Sequence, residues 1–167
     1  KALPVDASGQ PEVAEMIQNA FEHMGKSSWL EAAQVLSTAS ANQQNDSSIL
    51  NNLGLALLQS ALEMDGSGDP MATSQYEAAI MALRQGAKID TQNNTILHNL
   101  AHALLVSGRA EKALGVITVL RERSNSDVEV ENTLGACLIQ LERKGEAKII
   151  LTPYANDTIV SANLGLV

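Results

Sequence analysis

The stretch NTILHNLAHALLVSGRAEKALGVITVL, residues 94–120, carries the reading from which the fold follows. Leu97, Leu100, Ala101 and Leu104 recur at intervals of three and four, which lays their side chains on one face of a helix. Gly108 marks a tight turn, and a second apolar pair, Ala113 with Ile117 four positions on, predicts a second helix packed against the first. The tiny side chain at Ala101 lets the two backbones approach. This is a helix hairpin packed by matching small residues to large ones.

The pattern repeats along the chain at a spacing of 34 residues. Ala79, Ala113 and Ala147 are 34 apart, as are Leu83, Ile117 and Leu151, and as are the pairs Leu100 with Leu134, Ala101 with Gly135 and Leu104 with Leu138. The preceding unit has the same run in Leu50, Leu53, Gly54 and Leu57. A period of this length is one pair of helices. The series large, x2, Leu, Gly or Ala, x2, large, then Ala, x3, large resembles the tetratricopeptide repeat (TPR), over about residues 11 to 167. The resemblance implies an all-α fold of stacked antiparallel hairpins in a right-handed superhelix, with first helices lining a concave groove. The departures are consistent. Leu, Val and Ile fill slots where the family often has Trp, Tyr or Phe, Glu131 replaces the first large residue of its unit, and Gln44, Thr91 and Asn125 stand in the terminal Pro slot.

These matches divide the chain into a polar segment at 1–10 and repeats at 11–46, 47–93, 94–127 and 128–157, with an incomplete final helix at 158–167. In the first repeat, Trp29, Ala32 and Leu36 match Tyr76, Ala79 and Leu83, and Phe21 is placed in the inner apolar slot of the first helix. The second repeat is 13 residues longer than the period. Its first helix is expected to continue to about Met64, Asp65–Gly68 to turn, and Asp69 with Pro70 to start the second helix. In the fourth, Pro153 stops the second helix soon after Leu151. Lys1–Gln10 reads as a trimmed or processed end. If a signal sequence has been removed, export to the periplasm or lipid anchoring follows; the compartment is otherwise open.

Composition excludes several classes. A net charge of −8 with eleven scattered basic residues argues against nucleic acid, because a phosphate-binding surface needs clustered Lys and Arg. No apolar run approaches a membrane span. The single cysteine, Cys137, cannot form an internal disulfide and reads as a small buried hydrophobe. His98 and His102 sit four apart, a spacing that can face one metal, but only Glu129 offers a further ligand, so groove lining is the preferred account. Asp65, Ser67 and Asp69 match the start of a calcium loop, yet Pro70 stands where that loop needs Gly and Tyr76 where it needs Glu. No nucleophile elbow, phosphate-binding glycine loop or Ser/His/carboxylate grouping occurs. The expectation is a non-enzyme without metal or cofactor.

Applying the register of the resemblance, the groove slots hold Asn51, Asn52, Leu55 and Leu58, then His98, Asn99, His102 and Leu105, then Asn132, Ala136 and Ile139, and Asn163 on the last helix. None is Lys or Arg, so the cationic clamp with which some TPR domains grip carboxylates is absent. Asn52, Asn99 and Asn163 share one slot, with Thr133 interrupting. Because an amide carries both donor and acceptor, such a column can pair with the N–H and C=O of an extended peptide. It is similar to the asparagine ladders in the TPR region of the glycosyltransferase that modifies nuclear and cytosolic proteins. The expected partner is another protein, supplying a peptide or a helix. The alternative is a structural assembly subunit that self-associates through its open C-terminal helix, on a weaker similarity to TPR lipoproteins of bacterial tight-adherence pilus and secretion systems.

Overall fold

The computed structural model describes residues 1–125 and 127–167, and among these it contains helices and turns without strands. The fold is an all-α helical repeat of TPR type. Two compact units, Lys1–Asn99 and Leu100–Val167, divide it.

The first unit holds α1 (Pro11–Gly25), α2 (Trp29–Asn42), α3 (Ser47–Gly66), α4 (Ala72–Ile89) and the start of α5 (Asn94–Val106). Consecutive helices α1, α2, α3 and α4 pack as neighbours. Val13, Ile17 and Ala20 of α1, Ala32, Ala33, Leu36 and Ala39 of α2, and Ile49 and Ala56 of α3 form one buried cluster. Phe21 is not in it. That ring is 37% exposed, because the spacings of four and three that link Val13, Ile17 and Ala20 set the buried face, and one further residue rotates about 100° away from it. The size of Phe21 is therefore a misleading guide to its slot.

The α3–α4 hairpin shows the packing that the period predicts. A Cβ placed on Gly54 would lie 2.5 Å from Leu83 Cγ and 3.2 Å from the Ala79 carbonyl oxygen, so only glycine admits this approach. As expected from the insertion, α3 is 20 residues long, against 13 for α5. At its far end Tyr76 Oη donates to Asp65 Oδ2 at 3.0 Å, which ties the lengthened helices together. Burial first, and the Asp65 carboxylate second, push the Tyr76 phenol above its usual range. The second helix of this hairpin begins at Ala72 rather than Pro70. Asp69 still caps the turn, its Oδ1 accepting from Met71 N at 2.8 Å and its carbonyl from Ala72 N at 3.1 Å. The cap oxygen thus shapes a turn leading into the helix, and the regular i→i−4 ladder starts one half-turn later.

The second unit continues α5 and adds α6 (Ala110–Arg123), α7 (Val128–Gln140), α8 (Lys144–Leu151), 3-10 turns at Thr152–Tyr154 and Thr158–Val160, and the single-turn α9 (Ser161–Leu164). Its core is Ala113, Ile117, Leu120, Val130, Leu134, Leu138, Ala147 and Leu151, all buried. Gly135 repeats the role of Gly54, since an added Cβ would lie 2.7 Å from Leu151 Cδ1. Pro153 falls in the 3-10 turn that follows α8 at Leu151. Glu131, in a slot where the repeat expects a large apolar residue, is buried and accepts from Arg121 Nε at 2.7 Å, joining α6 to α7.

All four intra-hairpin turns close the same way. Ser27, Gly68, Gly108 and Glu142 have φ of 57, 74, 82 and 60°. In each, the next residue's N–H reaches back five positions: Ser28 to His23, Asp69 to Met64, Arg109 to Leu104 and Arg143 to Leu138, at 2.9, 2.8, 2.7 and 2.8 Å. That 6→1 bond with a left-handed residue is the Schellman cap, which satisfies helix-end carbonyls while reversing the chain.

Candidate functional site

Asparagines at Asn51 and Asn52 on α3 and at Asn99 on α5 make one connected group within the first unit. Asn99 Nδ2 donates to Asn51 Oδ1 at 2.8 Å, and Asn51 Nδ2 donates to Asn52 Oδ1 at 3.2 Å. What covers them is the chain's own N-terminal segment. Asn52 holds Leu3 in both directions: Leu3 N donates to Oδ1 and Nδ2 donates to the Leu3 carbonyl, each at 2.8 Å. Asn99 holds Lys1 in the same two-way fashion: the Lys1 α-ammonium N donates to Oδ1 and the Lys1 carbonyl accepts from Nδ2, each at 2.9 Å. Asn51 adds a bond to the Lys1 carbonyl at 3.1 Å.

The register of these contacts has a simple cause. In an extended chain the N–H and C=O of one residue face the same edge, and residues two apart share that edge. Lys1 and Leu3 are two apart, and each presents its pair to one amide. Pro4 contributes twice: it restricts Leu3 to extended backbone, and it falls on the alternate register, where its missing N–H removes no bond to the asparagines. Farther along, Gln43 Nε2 donates to the Asp6 carbonyl at 2.8 Å and to Asp46 Oδ2 at 2.6 Å. Val5 and Ala7 pack against the buried α1–α3 cluster beside Leu53 and Leu57. A turn then leads into α1: Asp6 Oδ1 accepts from Ser8 N at 3.0 Å and the Ala7 carbonyl from Gln10 N at 3.0 Å. The Ser8 N–H holds the Asp6 carboxyl below its usual range.

The segment that the sequence reads as polar is docked on α3 and α5, and it and Gln43 are the parts of the site that sequence reasoning missed. A signal was present. Leu3, Val5 and Ala7 are half-buried while Pro4, Asp6 and Ser8 are exposed, the period-two alternation of an edge-docked extended chain.

The remaining candidate residues take several positions. Beneath the segment, Asn51 and Asn52 are 0% exposed, and every polar atom of their side chains is bonded. Leu58 is also buried, at 1%, and presents no surface. Leu55, His98, Asn99 and Leu105 are half-buried, and His102 is exposed. Among the described residues no group of three or more His, Cys, Asp or Glu is placed to hold a metal ion. In the second unit Asn132, Ala136, Ile139 and Asn163 are half-buried. Asn163 Nδ2 donates to Asn132 Oδ1 at 2.7 Å and to its carbonyl at 3.3 Å. Thr133, which interrupts the asparagine column, turns its hydroxyl back to the Glu129 carbonyl at 3.0 Å. Cys137 is fully buried and its thiol is pushed up to about 11 by desolvation, so it is mostly protonated and inert at neutral pH. Among the described residues no helix is long and apolar enough to cross a membrane.

No protein-family model matches the sequence, and no curated protein sequence matches it. Solved structures do. MamA MSR-1 aligns with a TM-score of 0.70 at 16% identity, over 91% of this chain and 79% of that one. MamA AMB-1 aligns at 0.66 and 17% identity, over 87% and 72%. A tetratricopeptide repeat protein from Parabacteroides merdae ATCC 43184 aligns at 0.70 and 20% identity, over 92% of this chain and 58% of that one. The TPR-type architecture is shared with all three, at identities that speak to fold alone.

Proposed function

We propose that the chain is a non-catalytic protein–protein interaction scaffold, and that the asparagine face of α3 and α5 binds an extended peptide of a partner protein. The observation that carries this reading is the double grip of Asn52 on Leu3 and of Asn99 on Lys1, each amide taking both the N–H and the C=O of one residue. A helix would be a poor guest, since its backbone groups are already spent on its own i→i−4 bonds. Recognition through backbone groups, with apolar side chains at alternate positions, is the logic of strand addition carried out by side-chain amides. Likeness to TPR-type structures supports an interaction module in general.

The test is selection of displayed linear peptides on the chain, followed by binding of the winners to Asn52→Leu and Asn99→Leu variants. The reading expects extended, alternating apolar sequences whose affinity falls at least ten-fold in either variant. Winners that need helical structure, or that bind the variants equally well, would overturn it.

A second reading, a self-associating assembly subunit of the kind found in bacterial secretion or pilus systems, draws on the exposed Ile149, Ile159 and Leu166 of the second unit, at 75, 42 and 56%. Sedimentation at increasing concentration tests it: a monomer throughout would remove the case for self-assembly.

A further inference from the structure

We propose that this groove is selective for an extended segment with uncharged, apolar side chains at its alternate, inward positions, and that residues Lys1–Ala7 are its built-in occupant, which an incoming ligand must displace. The proposal rests on the peptide-binding reading above and adds the ligand's pattern and the competition.

Three observations carry it. The segment is held at Lys1, Leu3 and Asp6, by Asn99, Asn52 and Gln43, and all of those bonds go to its backbone. A different sequence in the same extended form would satisfy the same donors and acceptors. What selects the sequence is the alternation: Leu3, Val5 and Ala7 are half-buried and Pro4, Asp6 and Ser8 exposed, and neither α3 nor α5 carries a Lys or Arg to welcome an inward acidic residue. Second, the contacts that hold the hairpin beneath are independent of the segment. Leu83 on Gly54 closes the α3–α4 hairpin from the side, and Leu3, Val5 and Ala7 are only half-buried where true core residues are buried. Third, the floor beneath Lys1–Leu3 is polar. Asn51 and Asn52 are fully covered in the closed form, yet when uncovered they expose amides that water satisfies at little cost, whereas an apolar floor would resist opening. A short turn at Ala7–Gln10 joins the segment to α1, so it competes from a tethered position, at an effective concentration in the millimolar range.

The experiment uses the full chain and a fluorescent peptide with the sequence of residues 1–8, KALPVDAS, labelled at its C-terminus. Leu3→Asp with Val5→Asp should release the tethered segment by forcing charge onto its inward face. The expected result is peptide affinity at least ten-fold higher for the released chain than for the unmodified one, and loss of that gain when Asn52→Leu is added. Equal affinity for both chains, still lost with Asn52→Leu, would overturn the competition while leaving the peptide-binding reading intact. No binding to the released chain, or binding indifferent to Asn52→Leu, would overturn both. A second measurement needs no variant. In the unmodified chain, saturating peptide should speed exchange of the Leu3 amide hydrogen at least ten-fold, and an unchanged rate would contradict displacement.

Discussion

Asn99 on Asn51 in the first unit and Asn163 on Asn132 in the second are the same bridge built twice, at 2.8 and 2.7 Å. In each, an amide from a later helix donates to the side-chain oxygen of an asparagine on an earlier one. Among the described residues, only the first is also joined to an extended segment. There, Asn51 is followed by Asn52, which grips Leu3 in both directions; in the second, Asn132 is followed by Thr133, whose hydroxyl is spent on its own helix at Glu129. The amide column is therefore a brace between helices in both units; in the first, Asn99 and Asn51 of the brace also hold Lys1, and the second amide, Asn52, extends the grip to Leu3. Threonine in that slot cannot offer a donor and an acceptor to the same peptide group while its hydroxyl bonds back along the helix.

The largest expected effects probe the scaffold that the two units have in common. Leu83→Ala and Leu151→Ala each empty the space facing a glycine, Gly54 or Gly135, and each should cost about 2 to 5 kcal/mol of unfolding free energy in denaturant titrations. If one cost several times the other, the hairpins would not be equivalent. This packing was legible in the sequence, because tiny and large residues recur on a 34-residue period and size matching across a hairpin is a local rule. What lay outside it was tertiary. The register places Asn51 and Asn52 on an open face, and they are covered by a segment whose alternation is only three pairs long and lies next to a strongly helical pattern. Phe21 misled for a different reason: size suggested burial, while the helical angle set by Val13 and Ile17 pointed it outward.

A smaller effect separates the units. Asn52→Leu removes both bonds to Leu3 together with the bond from Asn51, and should loosen the segment by about 1 to 3 kcal/mol, read from amide exchange at Leu3. Asn132→Leu removes only the side-chain half of its bridge and should lower global stability by about 1 kcal/mol in a denaturant titration. Thr133→Asn would supply the missing second amide. It gives up the Thr133 bond to Glu129, which should cost about 1 kcal/mol in a denaturant titration, and should add weak binding of the KALPVDAS peptide to the second unit, readable by chemical-shift changes around Asn132. An effect of similar size and opposite sign is expected from Glu142→Gly, which should stabilise the second unit by about 1 kcal/mol, since Glu142 sits at φ 60° in a turn where the first unit's long hairpin uses Gly68 at 74°. A loss of stability there would mean that the glutamate side chain contributes more than the left-handed backbone costs.

The central claim is that side-chain amides of the first unit hold the backbone of an extended segment, and hydrogen exchange at two neighbouring amides tests it most directly. Leu3 N–H is bonded to Asn52 Oδ1, and Ala2 N–H lies on the opposite edge of the extended chain. The account predicts that in the unmodified chain the Leu3 amide exchanges at least ten-fold more slowly than that of Ala2, after correction for intrinsic rates, and that Asn52→Leu removes the difference. Equal exchange at the two amides in the unmodified chain would contradict it.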